Sequence, residues 1–449
     1  MALKNYSLSL LLFGLILIHF SSCSGCTSAD NCNVLLKDKL GLDSKDTLSW
    51  KKRDAIFRET NLWESFKIQS FDVYLENSGS MDGYVKGITS FEGELGTIIP
   101  QIANFGLADN AKVTLNYLND SIINYGSSID VKRFVTGLEP EEFARRGGNR
   151  GDSDISDCFT KVIKRMKGKK GNVSLLISDC VFSPTSNEDI DKYLGMQKNY
   201  VTMALKELGK EYGFMVYRFM SMYDGTYYNK VKPHYDMSGS NRQERPYYIW
   251  VFGQRAHLSK VRQLLSKEEE KGDVFVDFSP YDYIPYACKQ AHCLSSSSKH
   301  IKEAKLSMKK KLKLDIYVNY DCMPLGNKYL MQKENYLVDG NVSMKILNIS
   351  ATKEKEGFSH KITIESDSIA NGIKSQSCVV ISLMRPSSLG AWTTTYDDPD
   401  GMDYAPDSIS SRAKDVRRIP RTFGIKSLVE GANQAYTGNV YAKIAIIIN

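Results

Sequence analysis

Glu76, Ser78 and Ser80 stand at alternate positions in "FDVYLENSGSM", where an alternating apolar stretch runs into small hydroxyl residues. Asp179 closes a second apolar stretch, "NVSLLISD", and Ser153 opens a helix-like segment after the glycine-rich "GGNRG". Carboxylates and hydroxyls with neither thiolate nor imidazole make a hard-oxygen donor set, suited to magnesium, calcium or manganese rather than zinc or copper. Each piece alone has an ordinary use, since Ser and Gly are turn residues and a strand-terminal Asp often caps a helix. Their order is more specific, because each lies at a strand end or a helix start. Asp82 and Asp154 read as helix caps or as hydrogen-bond partners of the serine loop.

Three segments so far apart can meet only if the fold carries them to one edge. The periodicity supplies such a fold. "FDVYL", "NVSLLISD", "FMVYRFMSM" and "YYIWVFG" read as strands, and "KVTLNYLN" with "SIINYG" as a strand pair. Between them, 87–107, 153–166, 196–212 and 256–270 have helical spacing. Strands alternating with helices of this length imply an α/β fold, a doubly wound and mostly parallel sheet covered on both faces. In such sheets ligands collect beyond the carboxyl ends of the strands, where Glu76 and Asp179 fall.

The sequence "ENSGSM", then "SDISDCF", then "LLISD" resembles the von Willebrand factor A domain with its metal-ion-dependent adhesion site, over roughly 66–270. In that family the first loop reads Asp-x-Ser-x-Ser, the second gives a Thr and the third an Asp. Ser78, Ser80 and Asp179 match; Ser153 stands in the place of the Thr, and Glu76 in that of the first Asp. The resemblance implies a divalent cation, Mg²⁺ first with Mn²⁺ or Ca²⁺ also compatible, and a protein partner that presents an acidic residue to it. It implies a binding or adhesion protein, and since no catalytic constellation is legible in the residues, no enzyme is expected. Two other classes are compatible with the residues: a metal-dependent hydrolase, and a structural or assembly protein with a degenerate site.

The start of the chain has another character. Lys4, the apolar run from Leu8 to Phe20 and "FSSC" resemble a bacterial lipoprotein signal, with 1–22 removed and Cys23 lipidated; Cys26 is a second candidate. That implies a lipid-anchored protein of the bacterial cell envelope, periplasmic or surface-exposed. Residues 23–63 read as a tether, 64–295 as the von Willebrand-like unit, and 305–449 as a β-rich, sandwich-like second domain with the linker near "LSSSSKH". The net charge of +7, from 59 basic and 52 acidic residues, is spread along the chain, and no nucleic-acid-binding module is legible, so no nucleic-acid partner is expected. The eight cysteines after Cys23 are sparse for a disulfide framework in a chain this long, although a Cys288–Cys293 bridge is conceivable in an exported protein. "DDPDGMD", Asp397 to Asp403, reads as a turn, because its spacing fails the EF-hand loop.

Overall fold

The computed structural model describes residues 67–151, 154–184, 189–228, 232, 234–281, 284, 286–290, 295–296, 300–302, 311–369, 377–404 and 420–448. Cys23, Cys26, the tether, Ser153, Cys293 and most of the "LSSSSKH" stretch lie outside them.

The central sheet is built from β1 (Ser70–Glu76), β2 (Lys112–Leu118), β3 (Ile122–Ser127), β4 (Asn172–Ser178), β5 (Tyr212–Tyr223), β6 (Gln243–Gln254) and β7 (Asp273–Phe278). Their order across it is β3-β2-β1-β4-β6-β5-β7. β1 pairs in parallel with β2 and with β4. The β2–β3, β4–β6, β5–β6 and β5–β7 pairs are antiparallel, so four of the seven strands, β1, β2, β4 and β5, run the same way. One reason is local: among the described residues the β5–β6 connection holds only short strands and a three-residue 3₁₀ helix, Gly239–Asn241, with no crossover helix, and strands joined in that way return antiparallel.

Four helices cover the sheet: α1 (Ser90–Ala108), α2 (Ile155–Met166), α3 (Ile190–Lys206) and α4 (Arg255–Leu264). α3 starts six residues before the stretch that shows helical spacing. Asp189 caps it by accepting the Lys192 amide at 3.0 Å. Phe71, Val73 and Leu75 turn to one core with α1 and α4, whereas Tyr74 turns to the other with α2 and α3. β1 therefore carries Asp72, Tyr74 and Glu76 on a single face.

The chain after β7 is rich in antiparallel strands. One four-stranded and one five-stranded sheet place Leu314, Ile316, Ile362, Val379, Ile381 and Ile444 in a common core, as a sandwich-like arrangement requires. The α/β unit followed by a β-rich region thus matches the sequence pattern. A late segment then returns to the first unit. Helix α5 (Ile425–Gln434) packs on α3, where the Lys198 ammonium meets Glu430 at 2.8 Å and Thr202 donates to the Gly431 carbonyl at 2.7 Å. Gly431 is needed there: a Cβ would stand 2.6 Å from the Lys198 carbonyl oxygen. The buried Asp277 at the end of β7 is held by Arg385, whose Nε donates at 2.8 Å, so a charged pair also ties the two regions. No helix among the described residues is long and apolar enough to cross a membrane.

Candidate functional site

β1 ends on Glu76 opposite Leu118, and the chain then turns through a 3₁₀ helix, Gly79–Tyr84. The Asn77 amide donates to the Leu118 carbonyl at 3.0 Å, and Asn119 donates to the Asn77 side chain at 3.0 Å, which fixes where the turn begins. The Ser78 and Ser80 hydroxyls lie 3.0 Å apart. Tyr223 supports the loop from β5, its hydroxyl 2.9 Å from the Ser80 carbonyl oxygen. Gly83 makes room for that ring, since a Cβ would stand 2.5 Å from it.

Arg150 closes the loop from outside. Its Nε donates to the Asn77 carbonyl at 2.8 Å, its backbone carbonyl accepts from the Gly79 amide at 3.0 Å, and its guanidinium pairs with Asp82. Asp82 therefore braces the serine loop through Arg150. Asp154 caps α2, accepting from the Ser156 amide at 2.8 Å and the Asp157 amide at 3.4 Å. Asp154 is thus the helix cap that the sequence suggests, whereas Asp82 reaches the serine loop only through Arg150. Ser153, the hydroxyl expected beside them, is outside the described residues.

β4 delivers the rest. Ser178 donates to the Glu76 carboxylate and accepts from the Cys180 amide at 2.8 Å, so the turn after β4 is hydrogen-bonded through to β1. Asp179 accepts from the Val181 amide at 3.3 Å. Cys180, between them, holds φ +55, a left-handed conformation uncommon for a residue with a side chain. Burial pushes its thiol pKa well up, so it stays protonated and packed. Glu76 is 4% exposed and Asp179 2%, which places both carboxylates out of water. Burial also pushes the Asp179 pKa up; the charge of Arg245, the Val181 amide and the Ser80 hydroxyl pull it back, in that order.

Sequence reasoning missed Arg245. It lies on β6, is fully buried, and sits 3.8 Å from the centre of the Tyr227 ring, with Tyr223 beyond it at 5.7 Å. Its Nη2 donates to the Arg421 carbonyl at 3.3 Å, and Arg421 pairs with Asp403 at 2.9 Å. The "DDPDGMD" stretch is a turn with buried ends and an exposed tip at Pro399 and Asp400: Asp403 donates its amide to Asp398 at 3.1 Å, and Asp397 accepts the Lys426 amide at 3.0 Å at the start of α5. Nothing in "QERPYY" marks Arg245 as buried; only the long antiparallel β5–β6 register carries it there.

The structure thus brings Ser78, Ser80 and Asp179 to one edge, with Glu76 joined to it through Ser178. No protein-family model matches the chain, and no curated protein matches it. The site's chemistry has to be judged on its own groups. Two buried carboxylates and two adjacent hydroxyls fit a hard dication, which gains most where water is excluded. Against that stand two resident guanidiniums, Arg245, which acts on Asp179, and Arg150, which is bonded to the serine loop.

Proposed function

We propose that the chain is a lipid-anchored protein of the bacterial cell envelope whose von Willebrand A-like unit uses a divalent cation to bind an acidic group on a protein partner. The observation that carries this reading is the convergence of Ser78, Ser80, Glu76 and Asp179 beyond the carboxyl ends of β1 and β4. In this reading the two carboxylates offset the ion's charge while Ser78, Ser80 and Ser153 supply neutral oxygens. A bound Mg²⁺ or Mn²⁺ would supply an electrophilic position for a partner's carboxylate. Arg150 and Tyr223 hold the serine loop in place, so little ordering is left to be done on binding. The β-rich region presents or modulates that face.

One observation favours a second reading. Arg245 already brings positive charge to Asp179, as in a scaffold whose degenerate site holds an internal cation in place of a metal. Heating the full chain with and without millimolar Mn²⁺ separates the two. A ligand that binds only the folded state stabilises it by about 2.7 kcal/mol at a hundredfold excess over its dissociation constant. The adhesion reading expects a raised melting temperature that disappears in Ser78→Ala/Ser80→Ala. An unshifted parent supports the scaffold.

A further inference from the structure

The opposite end of the same strand carries a second cleft that the adhesion reading does not use. Its volume is about 390 Å³, within the range of small-ligand sites, and it opens over the N-terminal halves of β1 and β2 beside the end of α2. Its floor is polar and buried: Asp72 is 6% exposed, Asn116 2% and Tyr74 0%. Its rim is basic, formed by Lys112, Arg165 and Lys169. Three cations face one carboxylate, so the cleft carries surplus positive charge.

A sheet face covered by helices would ordinarily be apolar. Here a hydrogen-bonded row crosses it instead: Thr114 donates to Asp72, Asn116 to the Val73 carbonyl at 3.1 Å, Asn124 to Asn116 at 3.2 Å, and Asn172 to Asp72 at 3.0 Å. Lys169 reaches Asp72 at 3.4 Å. One group is left over. Tyr74 lines the cleft, and its hydroxyl is buried with no hydrogen-bond partner among the described residues. Burial pushes its pKa up, with Asp72 adding to the rise and Arg165 opposing it, so it remains a hydroxyl able to donate. A buried phenol without a partner is costly unless something fills the space in front of it.

We propose that this cleft binds a small anionic sugar, phosphorylated or carboxylated, its charge held by Lys112, Arg165 and Lys169 and its hydroxyls by Tyr74, Thr114 and Asn116. An inorganic anion would need only the rim. The row of amides and hydroxyls below it offers both donors and acceptors, which a polyol can match. Among the described residues that line the cleft the only aromatic ring is the buried Tyr74, which offers no exposed face on which a nucleobase could stack.

The test is calorimetric titration of the full chain with a panel of hexose phosphates and hexuronates, led by glucose 6-phosphate and glucuronate, with glucose and inorganic phosphate as controls. At least one anionic sugar should bind more tightly than either control. Its affinity should fall about tenfold or more in Lys112→Ala/Arg165→Ala, and by a smaller factor in Tyr74→Phe, which keeps the ring and hence the packing. The proposal is overturned if no anionic sugar binds, if binding survives the double replacement, or if inorganic phosphate binds as tightly as any sugar phosphate. The Mn²⁺ response lies at the other end of β1 and should be unchanged by these variants, so failure here and failure of the cation reading are distinguishable.

Discussion

Asp72 and Glu76 lie on one face of one strand, four positions apart, and meet opposite surroundings. Asp72 is saturated: a hydroxyl from Thr114, an amide from Asn172 and the ammonium of Lys169 converge on it, under a basic rim. Glu76 takes the Ser178 hydroxyl and shares its end of the sheet with Asp179 and the serine pair, so carboxylates gather there. The contrast shows that a buried carboxylate has no fixed meaning. In the two proposals its neighbours decide whether it would complete a binding floor for anions or contribute charge to a cation site.

The largest expected effect is at Arg245. Arg245→Met would take away the hydrogen bond to the Arg421 carbonyl, the stacking on Tyr227 and the positive charge that acts on the buried Asp179. Losing a hydrogen bond made by a charged group costs about 1.5–3 kcal/mol, so the denaturation midpoint should fall sharply in chelator. If Arg245 stands in for a cation beside Asp179, added Mn²⁺ should restore more stability to this variant than it gives the parent. Equal Mn²⁺ shifts in the two proteins would show that the guanidinium and the ion do not share one electrostatic role.

At the other end the effect should be smaller. Asp72→Asn keeps the shape but weakens the bonds from Thr114 and Asn172, at a cost of about 1–2 kcal/mol. The Lys169 pair adds little, because that ammonium is 48% exposed. Urea denaturation should report the loss while Mn²⁺ affinity stays at the parent value. A changed affinity would mean that the two ends of β1 are coupled.

A further effect, visible only against pH, lies in the turn behind Arg245. Burial, with the charge of Asp403 next, pushes Asp398 up to about 8. A carboxyl raised above its unfolded value favours the fold when neutral, so its contribution is full below about pH 4 and is lost as pH rises towards 8. Asp398→Asn should therefore flatten the melting-temperature profile in that window and exceed the parent by a few degrees at its alkaline end. Parallel profiles for the two proteins would show that Asp398 does not titrate there.

Much of this was legible in the residues. The apolar runs and helical spacings located β1, β2, β4, β5 and β6, and the strand-end positions of Glu76, Ser78, Ser80 and Asp179 anticipated their shared edge. What stayed hidden depends on pairing between distant segments. Asp72, Thr114 and Asn116 alternate with apolar residues and read as an ordinary solvent face, until the parallel β1–β2 register sets them side by side. Arg245 lies in a polar stretch, and its burial follows from the β5–β6 hairpin together with tyrosines as far off as Tyr404. Trp392 and α5 read as part of the later region, yet they fill the core formed by α2 and α3.

The central claim is that the loop after β1 is a cation site and that Glu76 acts there through its charge. Titrating Mn²⁺ calorimetrically into the parent, Glu76→Asp and Glu76→Gln tests it most directly. Gln keeps the size and can still accept from Ser178, while removing one of the two charges that offset the ion; Asp keeps the charge and can recover contact through a water. The account predicts saturable binding in the parent, a modest loss in the Asp variant and a loss of about tenfold or more in the Gln variant. Equal affinity in parent and Gln variant, or no binding in any of the three, would contradict it.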